Sequence, residues 1–301
     1  MMSAGGRTSA LVAITITALL WGTTGTAATF APDAGPLAIG AAALGVGGIL
    51  QALVDLPALR RDRGRLGAHR GLISIGAVAV AVYPLAFYSS MHLAGVAIGT
   101  VVSLASAPLA AGVLERFVDG IRLSRWWMLS AAIGIVGSAL LCVSKASGPA
   151  GDAEATVLGV GLGLVAGASY AAYSWAAARL MANGVSRGAS MGSVFGAGGV
   201  LLMPVLVLTG GALLETPQSL AVSAYMALVP MLIGYLLFGY GLARVPASTA
   251  TTITLLEPAV AALLAVTVVG ERLTALGWIG LALIGLVLVT LAAAPRRTTT
   301  L

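Results

Sequence analysis

Runs of about 20 mostly apolar residues, each long enough to cross a bilayer, recur along the whole chain. They fall near 10–30, 36–54, 71–91, 94–114 and 124–143, then near 158–181, 189–209, 218–242, 246–268 and 274–294. Prolines, glycine pairs and charged residues mark the breaks between them. The pattern predicts an all-α integral membrane protein of ten transmembrane helices. The first run is longer than the apolar core of a secretory signal and only Arg7 precedes it, so it is expected as a retained span.

Composition agrees. Apolar residues make up 59% and charged residues 9% of the 301, whereas a soluble domain carries roughly 25% charged residues to cover its surface. The 40 glycines suit helices that pack closely in lipid. The net charge of +6 sits in short segments between apolar runs, the pattern of orientation signals. With the amino terminus in the cytoplasm, Arg7, Arg60, Arg61, Arg63, Arg65, Arg70, Arg116, Arg122, Arg125, Arg179, Arg187, Arg244, Arg296 and Arg297 all fall inside. Only Lys145 and Arg272 fall outside. A wrong span count would scramble that split, so both termini are expected in the cytoplasm. The cluster from Arg60 to Arg65 reads as an anchor on anionic lipid rather than a nucleic-acid surface. The single Cys142 lies in an apolar run and forms no internal disulfide.

The chain also repeats itself at an offset near 150. Gly120-Ile121-Arg122-Leu123-Ser124 matches Gly270-Glu271-Arg272-Leu273-Thr274, Trp127 and Gly134 match Trp278 and Gly285, and Pro108 matches Pro258. Trp21 in the first span sits about where Tyr170 sits in the sixth. The repeat divides the chain into residues 1–146 and 147–301. Each half holds five spans, an odd number, so the second must enter the membrane upside down. Such inverted repeats place binding near the mid-membrane interface of the halves.

The 5+5 layout, Trp21-Gly22, Glu257-Pro258 and Gly270-Glu271-Arg272-Leu273-Thr274 resemble the drug/metabolite transporter superfamily, specifically its EamA-type members, which include bacterial amino-acid exporters. The likeness spans nearly the whole chain. It departs in the first half, where Ala107 and Ile121 stand at the positions of Glu257 and Glu271. The resemblance implies a secondary transporter of the bacterial inner membrane, not an enzyme, exporting amino acids or related small amphipathic metabolites by alternating access. A multidrug exporter of the same fold and a non-transporting scaffold are the competing readings.

Glu257 is the one ionisable residue these boundaries place deep in a span. A carboxylate in hydrocarbon must face a cavity, find a donor or take a proton. Thr251 and Thr254 precede it at intervals of three and share its helix face. Pro258 removes a backbone hydrogen bond to the carbonyl near Thr254. The alternative is that Glu257 bonds a neighbouring helix and fixes packing. Trp21, Tyr83, Tyr170 and Tyr235 lie deep in their spans, where a phenol or indole needs a partner, and Phe87, Tyr173 and Phe238 lie near them on the same spans. These rings either line a cavity or pack with local hydrogen bonds. Their faces suit an apolar solute or a cation. Together with Thr254 and Glu257 they are the expected substrate-binding set, and Pro108 and Pro258 the expected hinges. Protons are a candidate coupling ion. The sequence has no phosphate-binding Gly-Lys-Ser/Thr loop and no His/Cys metal signature, so neither a cofactor nor a metal is expected.

Overall fold

The computed structural model describes residues 4–143, 153–264, 266–267 and 274–293. Among the described residues, eight helices are long and apolar enough to cross a membrane. They are α1 (Gly6–Ala28), α2 (Pro36–Val54), α3 (Arg70–Ala94), α4 (Ile98–Phe117), α6 (Glu154–Ala182), α7 (Arg187–Leu214), α8 (Pro217–Leu242) and α9 (Ala247–Leu264). Two shorter apolar helices are also described, α5 (Arg125–Leu140) and α10 (Ala275–Leu291). Their outward faces carry large apolar side chains in the open, among them Val12, Ile75, Val113, Val157 and Val207, as lipid-facing surfaces require. Lys145, Glu271, Arg272, Arg296 and Arg297 lie outside the described residues, as does the whole Gly270–Thr274 signature except Thr274.

Helix pairing follows a reciprocal pattern. α1 packs on α8 and α9, while α6 packs on α3 and α4. α2 lies against α7, α4 against α9 and α5 against α10. The α2–α7 seam is built from small residues. A Cβ on Gly48 would stand 2.3 Å from the Phe195 carbonyl oxygen, and one on Gly199 would stand 2.6 Å from the Gly45 carbonyl oxygen. With lipid on both sides, such close backbone approach is what holds helices together.

Residues that match each other in sequence at the offset near 150 do not always share an environment. Trp278 is half exposed, as a residue at the start of a span should be, whereas Trp127 is buried with its ring over Gly112. Glycine at 112 leaves room for the indole, which draws Trp127 inward from the interface. Nor do the paired prolines act alike: α4 runs unbroken through Pro108, while α9 is interrupted just before Pro258.

One face of the bundle carries most of the described arginines, including Arg60, Arg61, Arg63, Arg65, Arg70, Arg179, Arg187 and Arg244, and polar contacts close it. Two short helices, Leu56–Arg61 and Arg63–Ala68, connect α2 to α3 there. Asp62 between them accepts the Ser186 N–H at the start of α7 at 2.8 Å. Hydrogen bonding from Ser186, with Arg65 adding, holds the Asp62 carboxyl below the usual carboxylate range. A depressed carboxyl contributes stability above its unfolded value, about pH 3.9, and loses it as pH falls through the lower folded value. Thermal melts in detergent should therefore show Asp62→Asn less stable than wild type at pH 7. That gap should close below about pH 4, and a gap unchanged down to pH 2 would contradict the contact.

Candidate functional site

Four of the described helices, α1, α2, α8 and α9, carry irregular stretches that meet. α1 breaks at Gly22 and Thr23, where glycine is needed because a Cβ would stand 2.5 Å from Val260 Cβ and 3.0 Å from the Glu257 carbonyl oxygen. α9 breaks at Thr254 and Leu255, between segments Ala247–Ile253 and Leu256–Leu264. α2 and α8 each contain a π-helical stretch, Ala41–Val46 and Ala227–Ile233. Irregular backbone is tolerated at membrane depth only where protein or a cavity satisfies it. Here both occur. Pro258 offers no N–H, and the Thr254 carbonyl instead accepts the Glu257 N–H at 2.9 Å in a tightened turn. In α8 the Pro230 carbonyl accepts the Trp21 indole N–H at 2.9 Å.

A cavity opens among these breaks, in the half of the bundle away from the arginine-rich face. Trp21, Thr24, Gly40, Ala43, Leu44, Tyr83, Pro84, Phe87, Tyr88, Met231, Tyr235 and Glu257 line it. Its volume of about 20 Å³ accommodates a water molecule and nothing much larger, so a solute must part the helices to enter. Glu257 is only 7% exposed, and its Oε2 is buried without a hydrogen-bond partner. It occupies the first turn of the second segment of α9, where the helix dipole favours negative charge.

Rings surround the carboxyl. Trp21 lies 4.8 Å from Tyr235, 5.4 Å from Phe238 and 5.9 Å from Tyr170, centroid to centroid. Tyr83 stacks on Phe87 at 5.5 Å and touches Tyr170 and Tyr173 at 5.6 and 5.8 Å. Phe195 of α7 closes the cluster at 4.3 Å from Tyr235. Hydrogen bonds orient the inner rings. The Tyr173 and Tyr235 hydroxyls are 2.7 Å apart. Thr254 donates to the Thr251 carbonyl at 2.9 Å, so the Tyr170 hydroxyl 2.8 Å away is the donor to Thr254.

Of the residues expected from sequence, Trp21, Tyr83, Phe87, Tyr235 and Glu257 line the cavity. Tyr170, Tyr173, Phe238 and Thr254 are buried behind the lining and position it. Thr251 is not turned to the cavity: its hydroxyl donates to the Ala247 and Ser248 carbonyls. Sequence reasoning missed the contribution of α2 and that of Met231, none of which carries polar chemistry. It also missed another buried carboxyl, Glu115, because α4 extends beyond the apolar run ending at 114. Glu115 is 3% exposed and takes both the N–H (2.9 Å) and the hydroxyl of Ser248, joining α4 to α9 on the arginine-rich side. Nearby, Asp119 pairs with Arg179 and accepts the Trp175 indole N–H at 2.7 Å.

Comparison with known proteins places this geometry. The EamA-like transporter family matches the chain twice, over residues 8–143 and 157–292. A Bacillus subtilis (strain 168) protein named "Uncharacterized transporter YwfM" is 35% identical over 288 residues, 95% of each chain. A solved crystal structure of a protein 21% identical superposes with a TM-score of 0.77 over 95% of this chain and 96% of that one, a likeness of fold. With its family matched across both halves and a relative aligned end to end, the chain belongs to the EamA-like transporter family.

Proposed function

We propose that this chain is a secondary transporter that exports an amino acid or a related small amphipathic metabolite across a bacterial inner membrane by alternating access. The observation that carries the reading is Glu257, a buried carboxyl with an unpartnered oxygen on a ring-lined cavity where four interrupted helices meet. A packing residue would have found its donor; a solute site keeps one acceptor open. The rings would hold the apolar part of the solute, Glu257 its polar end or a coupling proton, and the breaks in α1, α2, α8 and α9 would let the lining move.

The proposed architecture is ten spans in two inverted halves, 1–146 and 147–301, with both termini in the cytoplasm. The doubled family match supports it. So does the reciprocal packing of α1 on α8 and α9 and of α6 on α3 and α4. The test is radiolabelled amino-acid flux in proteoliposomes holding only this purified chain. Saturable flux, competed by unlabelled solute, is the expected result. Flux no different from empty vesicles across an amino-acid and amine panel would remove the carrier reading.

A further inference from the structure

The chemistry around Glu257 says which charge the solute carries. None of the described residues lining the cavity is Lys, Arg or His. Several of the neutral donors are already engaged: the Trp21 indole N–H goes to the Pro230 carbonyl, and the Thr24 hydroxyl to the Trp21 carbonyl at 2.7 Å. The Tyr235 hydroxyl is already bonded to that of Tyr173. An incoming carboxylate would find the phenol hydroxyls of Tyr83 and Tyr88 and would share a low-dielectric space with a second carboxyl. An incoming ammonium ion finds the reverse. It meets an unpaired buried carboxylate oxygen and the electron-rich faces of Trp21, Tyr83, Phe87 and Tyr235, which attract cations within about 6 Å.

We propose that the cavity selects an organic ammonium ion over a zwitterion or an anion of the same shape. The proposal rests on the reading of this cavity as the solute site and narrows its solute to an amine whose positive charge is not balanced by its own carboxylate. Glu257 pairs with the charge, and the rings cover its apolar substituent.

Three probes that share a benzyl group and differ in charge test it: phenethylamine, phenylalanine and phenylacetate. Calorimetric titration of the purified full-length protein at neutral pH should show phenethylamine binding at least tenfold more tightly than phenylalanine, with phenylacetate weakest. Glu257→Gln should weaken phenethylamine at least tenfold. Tyr83→Leu removes a ring face while leaving the carboxyl in place. It should weaken the amine about three- to tenfold, with less change for phenylalanine, and it decides the matter if the Gln variant does not fold. Equal or tighter binding of phenylalanine or phenylacetate, no binding of any probe, or an unchanged amine affinity in a folded variant would overturn the proposal. Binding does not require flux. Charge-selective binding without transport would remove the carrier and keep the inference, while saturable phenylalanine flux with no amine preference would do the opposite.

Discussion

Replacing Gly48 with leucine should leave little folded protein to purify. A Cβ at this position would stand 2.3 Å from the Phe195 carbonyl oxygen, 3.1 Å from its carbon and 3.6 Å from Gly199 Cα. All three are backbone atoms, so no rotamer change can make room. α2 would have to move off α7, and with it the seam that Gly45, Gly196 and Gly199 keep narrow. Overpacking by a methylene or two costs about 1–3 kcal/mol where side chains can give way. Gly48→Ala should lose at least that, and leucine should exceed the whole stability of the bundle. Size-exclusion profiles and thermal melts in detergent provide the readout. Gly64→Leu, in a short surface helix with nothing within 4 Å of a Cβ, is the control and should behave as wild type. A normal profile for Gly48→Leu would mean that α2 and α7 do not meet as described.

The second large effect concerns access from the arginine-rich face. Removing the Glu115 side chain strands the Ser248 N–H and hydroxyl in a buried position. An unsatisfied buried donor costs about 1–3 kcal/mol, which corresponds to roughly a 5- to 150-fold shift between two conformations. Because the contact joins α4 to α9, the penalty falls on the state in which those ends are closed. A cysteine at Ala111, fully buried one turn above Glu115, reports the change in a Cys142→Ser background. Its alkylation by a membrane-impermeant reagent should accelerate by that factor in Glu115→Ala. Adding Ser248→Ala should accelerate it little further, since the two residues form one interaction. Equal rates with and without Glu115 would show that the contact does not hold this side shut.

Much of this arrangement could be read from the chain. The span boundaries differ from the helices by a few residues, because lipid exposure writes apolar length directly into sequence. The Glu257 and ring assignments rest on the same logic: polar or aromatic groups at membrane depth need partners. What could not be read is which way each helix turns. These helices are apolar all round, so nothing in α2 announces that Gly40, Ala43 and Leu44 face a cavity rather than lipid. Thr251 misled for a related reason. Its spacing from Glu257 assumes an unbroken helix, and α9 is broken between them. Glu115 lay one residue past an apparent boundary, and only the position of Ser248 in another helix gives it meaning.

The π-helical stretch of α2 has a consequence for register. A π turn accommodates about one residue more than an α turn, which offsets everything beyond it by close to 100°. Gly40, Ala43 and Leu44, just before and within that stretch, can therefore turn inward to the carboxyl and rings, while the remainder of α2 turns Gly48 and Ala52 onto α7. A single continuous α-helix would tie those two faces to one phase. With the extra residue, one rod serves two neighbours whose directions do not coincide, and its recognition end can be retuned without disturbing the end that anchors it.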